Sequence, residues 1–106
     1  MQSFSYPAAS AVKGRVLGAL LRGEFLTHLD CWRRFGSSRL SHHVWALRRL
    51  GWPVMMLETT VRTSDAGRAA QIGEYYLNAD TIAEAGEEGR RYAEQCQRVE
   101  QERRAA

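Results

Sequence analysis

Two glycines and a proline punctuate the stretch THLDCWRRFGSSRLSHHVWALRRLGWP, residues 27–53, and they allow two short helices there and nothing longer. Thr27 is placed to cap the first helix, with Asp30 three residues on able to return the hydrogen bond. Gly36 closes that helix, because glycine enters the left-handed cap without a Cβ penalty. Ser37 or Ser38 then caps a second helix, about 38–50, which Gly51 ends and Pro53 keeps from continuing. Two helices joined by a glycine turn make a candidate helix-turn-helix.

The flanks support this pair. Upstream, Val12, Val16, Leu17, Leu20 and Leu21 recur at three- and four-residue spacing between Ser10 and Arg22, one apolar stripe on a helix that Gly23 ends. Phe25 and Leu26 have the character of a very short strand. In the next helix Leu29, Trp32 and Phe35 are the expected apolar contacts, with Cys31 as the small residue at a close helix approach. Leu40, Val44 and Leu47, with His43 at the edge, form the inner face of the helix that follows. Downstream, Val54 to Arg62 and Gln71 to Leu77 suit two strands, and the turn formers from Thr63 to Arg68 suit a hairpin loop between them.

The expected fold is therefore mainly α with a β-hairpin: a winged helix-turn-helix of three helices plus a two-stranded wing, followed by a C-terminal helix. The divisions are a mobile N-terminal arm at 1–9, the winged helix-turn-helix at 10–77 and a helical tail at 78–106. Within the tail, Asp80 to Glu102 has a weak seam of Ile82, Ala85, Gly89, Tyr92, Cys96 and Val99. Three roles stay open for it: packing back on the domain, pairing with a second copy, or standing free in solvent.

Composition narrows the class. In 106 residues, 44% hydrophobic and 25% charged fall in the ordinary globular range. Apolar runs stay far below the roughly 20 residues that span a bilayer, and MQSFSYPAAS has no signal-peptide pattern. The expected location is cytoplasmic, with no membrane partner. Cys31 and Cys96 lack a CxxC spacing and read as reduced thiols. Residues 1–77 carry a net charge of +5 and residues 78–106 a net charge of −2, so the basic half holds the helix pair.

Residues 16–77 resemble the small winged-helix domain common in phage and prophage proteins of bacteria. The resemblance rests on Leu20-Leu21 before Gly23, on Leu26-Thr27-His28-Leu29-Asp30, on Phe35-Gly36, on Arg39-Leu40, on Leu47-Arg48-Arg49-Leu50-Gly51-Trp52-Pro53 and on Tyr75-Tyr76-Leu77. It implies a DNA-binding role without naming an operator. Two positions depart from the family pattern, His43 where another polar residue is usual and Ala46 where Glu is common, so base contacts are not carried over.

A helix in the major groove presents side chains to base edges while nearby arginines hold phosphates. On the side of helix 38–50 away from its inner face, or on its flank, lie Ser38, Arg39, Ser41, His42, Trp45, Arg48 and Arg49. These are the candidate DNA-binding residues, joined in the wing by Arg62 and Arg68, which can reach phosphates or the minor groove. Competing roles are an Arg39–Asp30 pair, and Arg48 and Arg49 offsetting the helix C-terminal dipole. Trp45 needs a reason to be exposed: a protein partner, a base or sugar, or packing under the following strands.

His28, Cys31, His42 and His43 include zinc-ligating atoms, but adjacent His42 and His43 point about 100° apart on one helix, so no metal is expected. No catalytic constellation stands out, and neither enzyme activity nor a cofactor is expected. The expected partner is double-stranded DNA, with a homodimer through the C-terminal helix as a further partner. The alternative is a non-enzymatic protein-interaction module that uses Trp45, Trp52 and the tail against a host or phage protein.

Overall fold

The computed structural model describes residues 4–62 and 69–105. Four helices and a two-stranded antiparallel hairpin follow in the order α1 (Val12–Leu21), α2 (His28–Phe35), α3 (Leu40–Arg49), β1 (Met55–Arg62), β2 (Ala69–Tyr76) and α4 (Ala79–Ala105). The expected α+β class and order of elements are present, with ends within one or two residues of expectation except at the far end of α4. Among the described residues no helix is long and apolar enough to cross a membrane.

Local chemistry sets the first boundaries. Thr27 Oγ1 accepts from the Asp30 N–H at 3.2 Å while the Thr27 N–H donates to Asp30 Oδ2 at 2.9 Å, a complete capping box. Gly36 then ends α2 at φ 68°, in the left-handed region where any other residue is strained. The expected serine cap of α3 is absent. The helix begins at Leu40 with Arg39 as its N-cap residue, and the Ser37 hydroxyl instead accepts from the Arg39 N–H at 3.2 Å. Ser37 thereby orders the turn ahead of the helix instead of capping its first amides.

α1 is the central helix, buried continuously from Gly14 to Leu21. Leu17 and Leu20 join Leu26, Phe35, Leu40, Val44, Leu47 and Trp52 in one core. The expected α2 contacts divide: Cys31 and Phe35 are buried, whereas Leu29 and Trp32 are 44% and 59% exposed. An eight-residue helix turns only one narrow face inward, and Cys31 and Phe35, four residues apart, fill it.

α4 is folded back along α1, which resolves its three open roles in favour of packing on the domain. Gly89, Ala93 and Cys96 are buried, and the Cys96 thiol donates to the Gly14 carbonyl at 3.3 Å. Glycines at 14 and 18 let this helix approach. A Cβ at Gly18 would lie 2.5 Å from Cys96 Cβ, so the surface must be bare for the two backbones to meet. Gly86, at φ 60° and ψ −142°, breaks α4 into two helical segments.

The N-terminal arm expected to be mobile is docked over 4–9. Phe4 stacks on Trp52 at 4.2 Å, the Ser5 N–H donates to the Leu50 carbonyl at 3.1 Å, and Trp52 Nε1 donates to the Ser5 carbonyl at 2.8 Å. Tyr92 of α4 donates to the Pro7 carbonyl at 2.6 Å. The arm and the C-terminal helix thus share one seam with the core.

Leu26 supplies a one-residue third strand. It exchanges hydrogen bonds with Tyr75 at 2.9 and 2.8 Å, so the sheet runs from Leu26 through β2 to β1, with β1 on the outer edge. β1 and β2 pair from Met55 opposite Tyr76 to Arg62 opposite Ala69. The expected hairpin loop, Thr63 to Arg68, lies outside the described residues.

Candidate nucleic-acid interface

α3 divides cleanly by burial. Leu40, Val44 and Leu47 are buried, His43 and Ala46 are half-buried, and Ser41, His42, Trp45, Arg48 and Arg49 are exposed, with Ser38 and Arg39 exposed just ahead of the helix. The structure therefore brings seven of the nine candidate residues onto one continuous surface. Arg62 is the last residue of β1, and Arg68 lies outside the described residues.

Within that surface, three side chains form a column. His42 stacks on the Trp45 indole with centroids 5.9 Å apart and planes 24° apart, and the Arg49 guanidinium lies 5.1 Å over the same ring. Spacings of three and four residues put all three on one side of the helix. Trp45 is 55% exposed, so packing under the strands is not its role. Its ring is flanked by a cation and an imidazole, and the arrangement offers a flat, cationic surface to solvent.

Arg48 has a separate task. Its Nε and Nη2 donate to the Val54 carbonyl at 3.1 and 2.8 Å, which ties the end of α3 to the start of the hairpin. Neither Arg39 nor Arg49 forms an ion pair among the described residues. The suggested Arg39–Asp30 pair is absent, because Asp30 is occupied by the Thr27 cap.

The charge distribution explains why. From Cys31 to Leu57 the chain contains five arginines and no carboxylate. Of the five, Arg34 turns away to Glu24 and Glu100. The remaining cations therefore have no acid from their own segment. His43 borders the surface, with Nε2 3.1 Å from Ser37 Oγ. Burial lowers its pKa, and the neighbouring His42, Arg39 and Lys13 lower it further.

Two sequence-based features lose their expected roles. Trp52 is only 1% exposed and belongs to the core, so it is not a contact residue for a protein partner. The tail is likewise committed to α1. Burial pushes both the Cys31 and Cys96 thiols up, which keeps them protonated. Among the described residues no three His, Cys, Asp or Glu side chains cluster around a metal position.

Sequence reasoning missed the cleft beside Gly86. About 470 Å³ in volume, it is lined by Leu21, Arg22, Ile82, Gly86, Gly89, Arg90, Ala93 and Glu94, and no residue of α3 reaches it. The glycines at 86 and 89 in the tail were its one sequence signal. Comparisons with protein-family models, with curated proteins and with solved structures give no match for this chain.

Proposed function

We propose that the chain is a small DNA-binding regulator of the phage winged-helix type. In this reading α3 enters the major groove of duplex DNA, and the hairpin acts as the wing against the backbone or minor groove. The observation that carries it is the exposed face of α3, where Ser38, Arg39, Ser41, His42, Trp45 and Arg49 lie together in a segment with no carboxylate. Such a face attracts phosphates through unpaired arginines and offers hydrogen-bonding groups near the helix N-terminus to base edges. The Arg48 bond to Val54 supports the reading further, because it fixes the angle between helix and hairpin.

Backbone NMR shift mapping with a random duplex tests this proposal. Shifts concentrated in 38–49 and in the hairpin, weakening as salt rises, are the expected result. Shifts absent at low salt would remove α3 from a DNA interface and favour the protein-interaction reading, for which exposed Trp45, Leu29 and Trp32 are the specific observations.

A further inference from the structure

We infer that the open edge of β1 pairs antiparallel with the same edge of a second copy of this chain, in a register centred on Leu57. This inference is independent of DNA binding and starts from the Leu26 bridge. Leu26 and Tyr75 exchange both of their hydrogen bonds, so the Tyr75 peptide groups point away from β1. Met56, opposite Tyr75, is therefore in a non-hydrogen-bonded pair, and its own N–H and C=O face outward. Alternation sends the groups of Glu58 and Thr60 the same way. Val54 provides an internal check, since by this parity its carbonyl faces the open side, where Arg48 bonds to it.

The edge lacks the usual protection. Met55, Met56 and Leu57 are 42%, 48% and 50% exposed, Glu58 is the one charged residue from Met55 to Thr60, and among the described residues no proline, lysine or covering helix lies along that segment. A row of free backbone groups flanked by apolar side chains is a template for another strand. Opposite faces of the sheet share the exposure: Met55 continues the surface on which Phe25 stacks on Tyr76 at 4.6 Å.

A second copy is the occupant because β1 complements itself, and charge selects the register. Two-fold pairing keeps facing residues on the same side of the sheet, so the axis passes through a residue. Centred on Glu58, it sets two carboxylates against each other. Centred on Met56, it leaves one hydrogen-bonded pair, Met56 with Met56, that does not draw on the Val54 carbonyl already held by Arg48, whereas centring on Leu57 leaves two. Centred on Thr59, it leaves Met55 outside the paired segment. Centred on Leu57, it sets Leu57 against Leu57, Met55 against Thr59 and Met56 against Glu58. Arg48, at the Val54 carbonyl, then lies two residues along from the partner strand's Glu58 position. Glu58 is exposed and forms no ion pair among the described residues, so the two charges are complementary.

Sedimentation of the whole chain without DNA, from micromolar to submillimolar concentration, tests the pairing. The expected result is a shift from 12.0 kDa toward twice that mass. Leu57→Lys places like charges on the axis and is expected to abolish the shift while leaving the circular dichroism unchanged. Register is read by disulfide formation in single-cysteine variants, with buried Cys31 and Cys96 out of reach. Leu57→Cys is expected to cross-link about tenfold faster than Glu58→Cys or Thr59→Cys, because only its Cβ atoms face each other directly. A wild-type monomer throughout, a dimer that survives Leu57→Lys, or faster cross-linking at 58 or 59 would each overturn the inference.

Discussion

Arg34 on α2 and Glu100 near the end of α4 meet through two hydrogen bonds, Nε to Oε1 at 3.0 Å and Nη2 to Oε2 at 3.2 Å. The carboxylate also faces Arg104 at 3.1 Å and Arg22 at 3.7 Å and is itself only 5% exposed. It is the clasp between helix pair and tail. Removing it in Glu100→Ala leaves Arg34 and Arg22 with Glu24 as their one remaining acidic partner, at half-buried sites. The expected loss is about 3 kcal/mol, at the low end for a broken buried pair because water still reaches the arginines. Urea unfolding measures it, and Glu100→Gln should recover part.

The same carboxylate sets an acid limit. Burial pushes the Glu100 pKa up, but the hydrogen bonds and charges of Arg34, Arg104 and Arg22 outweigh burial and leave it below its ordinary value. A depressed carboxylate stabilises the fold above its unfolded pKa, and that contribution is lost as pH falls through the folded value. Stability should therefore decline below about pH 4.3, the unfolded value for Glu. Glu100→Gln should flatten this part of the curve.

His43 acts at milder pH. Its folded pKa is also lowered, by burial first and then by His42, Arg39 and Lys13, so the unfolded chain takes up the proton more readily. Stability is full above the unfolded value, about 6.5, and falls as pH drops from there through the folded value. His43→Gln, which keeps a hydrogen-bonding group near Ser37, should remove that slope between pH 7 and 5. Thermal melts across that range would show it.

Gly18 is a packing requirement. In Gly18→Ala the new Cβ meets Cys96 Cβ at 2.5 Å, and α1 and α4 must move apart. The expected cost is about 1–3 kcal/mol, the range for overpacking a filled core. Urea midpoints should fall for Gly18→Ala, and Cys96→Gly in the same chain should restore part of the loss.

On the α3 surface, Arg39→Ala and Arg49→Ala should each weaken duplex binding by about 1–3 kcal/mol where they read bases. Trp45→Ala releases Arg49 from its ring and should lower affinity while leaving the melting temperature unchanged, since the indole lies outside the core. Fluorescence anisotropy with a labelled duplex and parallel melts separate the two effects. Equal affinity in all three variants would place the DNA contact elsewhere.

How much of this was legible in sequence follows the range of each interaction. The Thr27–Asp30 box spans three residues and Gly36 acts on its own φ, so both could be read directly from residue types. Leu40, Val44 and Leu47 were legible from period, and the exposure of Ser41, His42 and Arg49 followed as the remainder. Leu29 and Trp32 misled because an apolar stripe does not say how much partner surface exists to cover it. The docked arm, the α1–α4 seam and the Glu100 clasp join residues far apart in the chain. Periodicity carries no information about which distant partner completes such contacts.

The single bridge at Leu26 has a mechanical consequence. Leu26 is clamped to Tyr75 in the hairpin, and the next residue, Thr27, holds the first turn of α2. Hairpin and helix start are thus joined without a compliant segment between them. Arg48 makes a second rivet, from α3 to Val54 at the other side of the sheet. Force applied to the hairpin is transmitted to both helices at once, so the hairpin and the helix pair respond to a load as one lever.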